Sequence, residues 1–180
     1  MPTSKDPSFA AIIPEGDNRL RQVCTDCGFV AYENPKVVVG AVVTLGEKIL
    51  LCRRAINPRK GFWTLPAGFM ELHESAETGA AREALEEANA KIEIEALLAA
   101  YTIPRLSQVQ LIYRARLIDP AISAGVESLE VGLFDYADIP WDELAFPSVN
   151  WALTQFASVR HLSVFPAFGN PPGETGDHHP

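Results

Sequence analysis

Residues 68–90 read GFMELHESAETGAAREALEEANA, and this stretch decides the fold. Thr78 to Ala88 holds strong helix formers with neither Gly nor Pro after Gly79, Ser75 stands where its side chain can cap exposed amides, and Asn89 suits a helix stop. Each helical residue advances about 100°, so Glu83, Glu86 and Glu87 share a face, with Ala81, Ala84, Leu85 and Ala88 expected roughly opposite. Three neighbouring carboxylates repel one another unless a cation stands among them. Mg²⁺ or Mn²⁺ would resolve the conflict, because hard ions prefer carboxylate and water oxygens, and Mg²⁺ commonly bridges such carboxylates to substrate phosphates. Arg82 beside this face can pair with a carboxylate and hold it in orientation. Gly68, after the Pro66-Ala67 corner, lets the backbone fold tightly against the helix start.

Upstream, VVVGAVVTL over Val37–Leu45 is β-branched and almost wholly apolar, as a strand covered on both faces requires. Gly46-Glu47 turns the chain, and Lys48–Arg54 returns as the second strand of a hairpin ending on Arg53 and Arg54. Pro58, Gly61, Pro66 and Gly68 punctuate a loop with a short strand around Phe62–Leu65. Arg53, Arg54, Arg59 and Lys60 surround the expected mouth of the site, where Arg53 and Arg54 are candidates for gripping phosphate. Phe62, Trp63 and Phe69 could stack on a planar ring, but core packing is the favoured reading. Trp141 and Trp151 read as core or interface. His73 is assigned no role, and neither are His178 and His179.

Downstream, Lys91–Ile103, Val109–Leu117 and Leu129–Tyr136 are strand-like, and Pro147–Leu162 has helical periodicity. The first 35 residues are polar and broken by Pro2, Pro7, Pro14, Gly16 and Pro35, which suggests an irregular arm or small module. The closing FGNPPGETGDHHP reads as a mobile tail.

The 180 residues suit one domain with a real core. A formal charge of -8 with no basic run leaves out duplex nucleic acid as a partner, while a small anionic substrate stays compatible through a bound cation. No apolar run is long enough for a membrane span, and Asp6, Glu15 and Asp17 interrupt any apolar signal core, so a cytoplasmic location is expected. Cys24, Cys27 and Cys52 are too few for a disulfide framework, and Cys24-x-x-Cys27 has the spacing of a metal knuckle.

Gly68, five residues, Glu74, seven residues, Arg82-Glu83, two residues and Glu86-Glu87 together resemble the Nudix box. Ala84 and Ala90 stand at its aliphatic positions and Asn89 where glycine is usual; Asn is the next best residue for a left-handed helix terminus, so metal binding is expected to survive. RLRQVCTDCGFVAYENPKVVVGAVV, over residues 19–43, resembles Nudix proteins with an N-terminal zinc ribbon. Residues 97–117 and 124–146 are similar to the ADP-ribose/FAD pyrophosphatases of that group. The resemblance implies an α/β (α+β) fold, a mixed sheet sandwiched between helices. An N-terminal arm or vestigial zinc ribbon would cover residues 1–35, the Nudix domain 36–163 and a flexible tail 164–180.

It also implies Mg²⁺- or Mn²⁺-dependent hydrolysis of a diphosphate linkage, with ADP-ribose or FAD as the favoured substrate. Glu83, Glu86, Glu87 and Glu127 would be metal ligands and Arg82 a support. The base is left between Glu127, which is favoured, Glu130 and a box glutamate, and Arg53, Arg54 and Gly68 would meet the substrate. NADH pyrophosphatase activity is an alternative, disfavoured because the SQPWPFP-like stretch is absent; sanitation of oxidised nucleotides and a non-catalytic ADP-ribose sensor are others. Structural zinc takes four ligands, and Cys24 and Cys27 supply two, so zinc there would need a distant segment or a second chain; a relic turn with reduced thiols is favoured. A homodimer is expected, with the arm completing a partner's pocket.

Overall fold

The computed structural model describes residues 7–176; Pro2, Asp6, His178 and His179 lie outside the described residues. Two compact units meet in sequence at Asn34 and Pro35. In the first, β1 (Phe9–Ile12), β2 (Arg21–Cys24) and β3 (Val30–Ala31) form an antiparallel sheet in the order β1-β2-β3. A turn bonded from Asp17 N to Pro14 O lies between β1 and β2, and Gly28, at φ +75°, reverses the chain into β3.

The second unit is built on β4 (Lys36–Leu45) and β5 (Lys48–Arg54), joined at Gly46. They pair only beside the turn, at Thr44–Ile49 and Leu45–Lys48, and then part. Into the opening come β6 (Trp63–Thr64), paired with β5, and β7 (Ala67–Phe69), paired with β4. Helix α1 spans Ala76–Ala88. Strands β8 (Ile92–Ile103), β9 (Gln108–Leu117) and β10 (Ser128–Phe134) complete the sheet, ordered β10-β5-β4-β9-β8. The β4–β9 pair is parallel and the neighbouring pairs are antiparallel, so the sheet is mixed as expected. Helix α2, Pro147–Val159, starts on a proline whose fixed φ suits a first helical turn.

The apolar run of β4 is explained by two cores. Val39, Ala41 and Val43 face Ala80, Ala84 and Ala88 of α1, while Val42 faces the layer containing Trp151, Leu153 and Phe156 of α2. β5 alternates likewise, Leu50 and Cys52 toward α1, Ile49 and Leu51 toward α2. Burying each large side chain contributes about 1.5–3 kcal/mol. Trp63 and Trp151 are core, Trp63 meeting Phe134 edge to face at 4.9 Å.

One difference concerns the chain's end. Over residues 168–170 it follows β8 instead of leaving the domain: Phe168 exchanges backbone bonds with Leu98 and Ala100, and the Asn170 amide bonds both backbone groups of Thr102. Phe168 itself packs against the α2 core, an anchor that the Pro/Gly-rich composition conceals.

Candidate active site

Ser75 caps α1, its hydroxyl accepting from Thr78 N at 3.2 Å, and Asn89 ends it in the left-handed region at φ 49°. The helix lies close on β4 because its packing residues are alanines. That approach corrects the expected division of faces: Glu83 and Glu87 are buried on the same side as Ala80, Ala84 and Ala88, whereas Leu85 is 47% exposed and Glu86 is exposed. The acidic stripe is set into the domain, not laid out on solvent.

Two features of the β7 segment receive these carboxylates. A β-carbon on Gly68 would stand 2.5 Å from the Glu83 carboxyl carbon and both its oxygens, so Glu83 occupies the space that a side chain would take. Ala67 N donates to Glu87 Oε2 at 3.2 Å. Both backbone groups are exposed there because β4 and β5 have parted around β7.

Arg82 organises the rest. Its Nε and Nη2 donate to the two oxygens of Glu74 at 3.1 and 2.9 Å, Nη1 to Glu83 at 2.7 Å and Glu86 at 2.9 Å, and Nη2 also to Phe69 O at 3.0 Å. These bonds use every N–H the guanidinium has. The pairing holds Glu74 below the usual carboxylate range and raises Arg82. Glu74 as this two-oxygen anchor was missed in the sequence, where it counts only as a box position, although the seven intervening residues spanning loop and helix are the visible signal.

Burial raises Glu83, against the pull of Arg82 and with a further push from Glu86 and Glu127. Burial pushes Glu87 up to about 8; the Ala67 amide and the Arg54 charge oppose this, while Glu83 and Glu127 add to it. The charge of Glu127 thus acts on both Glu83 and Glu87. Its loop is fixed on the end of α1: Ser123 N donates to Ala88 O at 3.0 Å, Gly125 N to Glu87 O at 2.9 Å, and Asn89 Nδ2 to both Ser123 oxygens. A β-carbon on Gly125 would fall 1.7 Å from Glu86 O. Glu130 points elsewhere, toward Arg53 at 3.6 Å.

The remaining expected residues divide. Arg54 Nε bonds Pro58 O at 2.9 Å, its guanidinium lies 5.2 Å over Phe146, and its charge reaches Glu87. Arg53 Nε bonds Gly61 O at 2.8 Å and is not drawn into the group around Glu87. Arg59 stacks 3.9 Å over Phe62 and reaches Ala145 O, serving the loop. Gly68 lies against Glu83. Phe69 is half exposed, with the Lys36 ammonium 5.3 Å from its ring centre.

The donors gathered here are carboxylate oxygens, two of them on buried, mutually repelling groups, which suits a hard divalent cation. Among the described residues no three His, Cys, Asp or Glu side chains are already grouped as ligands. Arg82 holds Glu83 and Glu86.

A NUDIX domain model matches residues 34–151, and a model described as Nudix N-terminal matches residues 8–33. A crystal structure of a NUDIX hydrolase from Nitrosomonas europaea is 46% identical, with 93% of this chain and 96% of that chain covered and a TM-score of 0.85. An ADP-ribose pyrophosphatase of Methanocaldococcus jannaschii is 33% identical over 119 residues, 64% of this chain and 69% of the relative. The NUDIX domain of Shewanella oneidensis NrtR, in complex with ADP ribose, is 25% identical over 72% of this chain and 90% of that one, with a TM-score of 0.59.

Proposed function

The chain belongs to the Nudix hydrolase family, and from that premise we propose that it hydrolyses the diphosphate linkage of a nucleoside diphosphate derivative, with ADP-ribose as the first substrate to test and FAD as the second. The observation that carries the reading is the seating of Glu83 on Gly68 and of Glu87 on the Ala67 amide, with Arg82 binding Glu74, Glu83 and Glu86 into one unit. The M. jannaschii ADP-ribose pyrophosphatase and the NrtR complex with ADP ribose support the substrate class.

Bound Mg²⁺ or Mn²⁺ would withdraw charge from the phosphoryl oxygens and make water a better nucleophile. Glu83 and Glu87 would hold it, with Glu86 and Glu127 assisting. Arg82 fixes Glu83, so the carboxylate need not be ordered when substrate arrives. Arg54 places positive charge beside Glu87, where the substrate's diphosphate would lie. Glu127 would accept the proton of the attacking water on a carboxylate oxygen; its influence on Glu83 and Glu87 supports it over Glu130, which is paired with Arg53. A cytoplasmic, homodimeric protein is part of the same reading, and no helix among the described residues is long and apolar enough to cross a membrane.

A side-by-side product screen tests this: ADP-ribose, FAD, NADH and 8-oxo-dGTP with Mg²⁺ and with chelator. Release of AMP and ribose 5-phosphate from ADP-ribose is expected. Failure on all four substrates with metal bound overturns the assignment. Tight ADP-ribose binding without products would favour a sensor.

A further inference from the structure

Among the described residues, two aromatic rings of the second unit pack in neither core, Phe62 and Phe69. Phe69 stands beside the carboxylates: its carbonyl accepts from Arg82 Nη2 at 3.0 Å, and the residue before it is Gly68, against which Glu83 lies. Consecutive strand residues point to opposite faces, so with Gly68 turned toward α1 the Phe69 ring lies on the α2 side of the sheet. The ring is 51% exposed. Phe62 differs, because the Arg59 guanidinium already stacks on it at 3.9 Å and is tied to Ala145 O.

Register gives the surroundings of Phe69. It pairs with Val38, Val38 with Gln110 and Gln110 with Tyr101, one row across β7, β4, β9 and β8. The α2 core covers Tyr101, and it covers Ile112, the next residue along the same face of β9. Val38 is partly exposed and belongs to neither core. In the row beyond, Lys36 pairs with Gln108. Phe69, Val38 and Gln110 thus form a partly exposed shelf beside the α2 layer, edged by Lys36 and Gln108.

The polarity of this shelf points to its occupant. β9 has strands on both sides, yet along its α2 face the apolar Ile112 gives way to two partly buried glutamines. Gln110 Nε2 donates to Gln108 Oε1 at 3.4 Å. A primary amide carries two N–H groups and two acceptor lone pairs, so one contact uses little of what the pair can offer. The Lys36 ammonium, 5.3 Å from the Phe69 ring centre, adds positive charge that suits a ligand carrying a diphosphate. Bases stack on aromatic rings, and a glutamine amide matches adenine N6 and N7 together. β7 has β4 as its strand partner, so a ligand lying over its other edge meets the ring on one face and the carboxylates on the other.

Taking the chain as a hydrolase of nucleoside diphosphate derivatives, as proposed above, we infer that the adenine shared by ADP-ribose and FAD stacks on Phe69, with the Gln110 amide bonding N6 and N7. Phe69 supplies affinity and Gln110 supplies the choice of base.

Steady-state kinetics on ADP-ribose and on its hypoxanthine counterpart, inosine diphosphate ribose, test this with wild type, Phe69→Leu, Phe69→Tyr, Gln110→Leu and Phe62→Leu. Leucine and tyrosine both keep the backbone carbonyl that Arg82 binds. Phe69→Leu is expected to raise KM for ADP-ribose by about 10-fold, and Phe69→Tyr, which keeps a ring, to stay within about 2-fold of wild type. Hypoxanthine has an acceptor oxygen where adenine has its amino group, so wild type should favour ADP-ribose in kcat/KM by about 10-fold, and Gln110→Leu should bring that ratio close to one. Partial misfolding would lower both substrates alike and leave the ratio in place. The inference is overturned if Phe69→Leu keeps the wild-type KM, if Gln110→Leu keeps the wild-type preference, or if Phe62→Leu shows the rise in KM that Phe69→Leu lacks. Wild type that cleaves no diphosphate defeats the hydrolase reading and this inference with it; wild type that cleaves ADP-ribose while the variants leave KM and preference unmoved defeats this inference alone.

Discussion

The Glu83 carboxylate lies where a β-carbon of Gly68 would be, 2.5 Å from that position, so the box's first residue and its first paired glutamate form one contact. Gly68→Ala must push Glu83 out of this seat. The substitution is expected to lower kcat for the diphosphate substrate by about 10–100-fold, the usual range when support for a metal ligand is lost. Circular dichroism should show the fold retained. Unchanged kcat would mean that Glu83 need not sit on Gly68.

Arg82→Lys keeps the charge and loses the fork. A lysine cannot span two Glu74 oxygens while bonding Glu83, Glu86 and Phe69 O. Activity should again fall by about 10–100-fold, and stability by about 1–3 kcal/mol from bonds left unmade in a half-buried place. Urea unfolding with steady-state kinetics measures both. Full activity in Arg82→Lys would show that only the charge matters.

Metal-free protein should become less stable as pH rises. The unfolded chain releases the Glu87 proton near the usual 4.5, whereas burial keeps it on the folded protein up to about 8. Between these values the folded state binds more protons, so stability falls with increasing pH until it levels off above about 8. Glu83, also raised, has the same sign. Glu74, held down by Arg82, acts oppositely, and its contribution is lost as pH falls below 4.5 through its lowered value. The chelated protein's melting temperature should decline from mildly acidic to neutral pH, and Mg²⁺ should restore it. A Glu87→Gln protein with the same slope would remove Glu87 as the cause.

Much of this was legible in residues 68–90. Helix α1, its Ser75 cap and the left-handed Asn89 stop follow from local chemistry, and alternation along β4 and β5 follows from burial on both faces. The depth of Glu83 and Glu87 was not legible. It depends on the alanines letting α1 close onto β4 and on the parting of β4 and β5, which are tertiary facts. The Ser123–Gly125 contact with the end of α1 joins segments more than thirty residues apart through backbone groups and the single side chain of Asn89, so no local pattern announces it. Phe168 is similar: one aromatic anchors a stretch whose composition reads as tail.

Asn89 offers a stability test. Asn89→Ala places a β-carbon residue at φ 49° without a side chain to bond Ser123, and should cost about 1–2 kcal/mol. Asn89→Gly relieves the backbone but still loses the Ser123 bonds, so it should fall between alanine and wild type. Equal midpoints for all three in chemical denaturation would mean that neither contribution operates.

The central claim is that the carboxylates seated on the Ala67–Gly68 backbone hydrolyse a nucleotide diphosphate. Its most direct test is Mg²⁺-dependent turnover of ADP-ribose by wild type and by Glu87→Gln, with folding and ADP-ribose binding followed in parallel. The expected result is AMP and ribose 5-phosphate from wild type, and loss of turnover by about 100-fold or more in a folded variant that still binds ADP-ribose. A folded Glu87→Gln protein that turns over ADP-ribose at the wild-type rate would contradict the account.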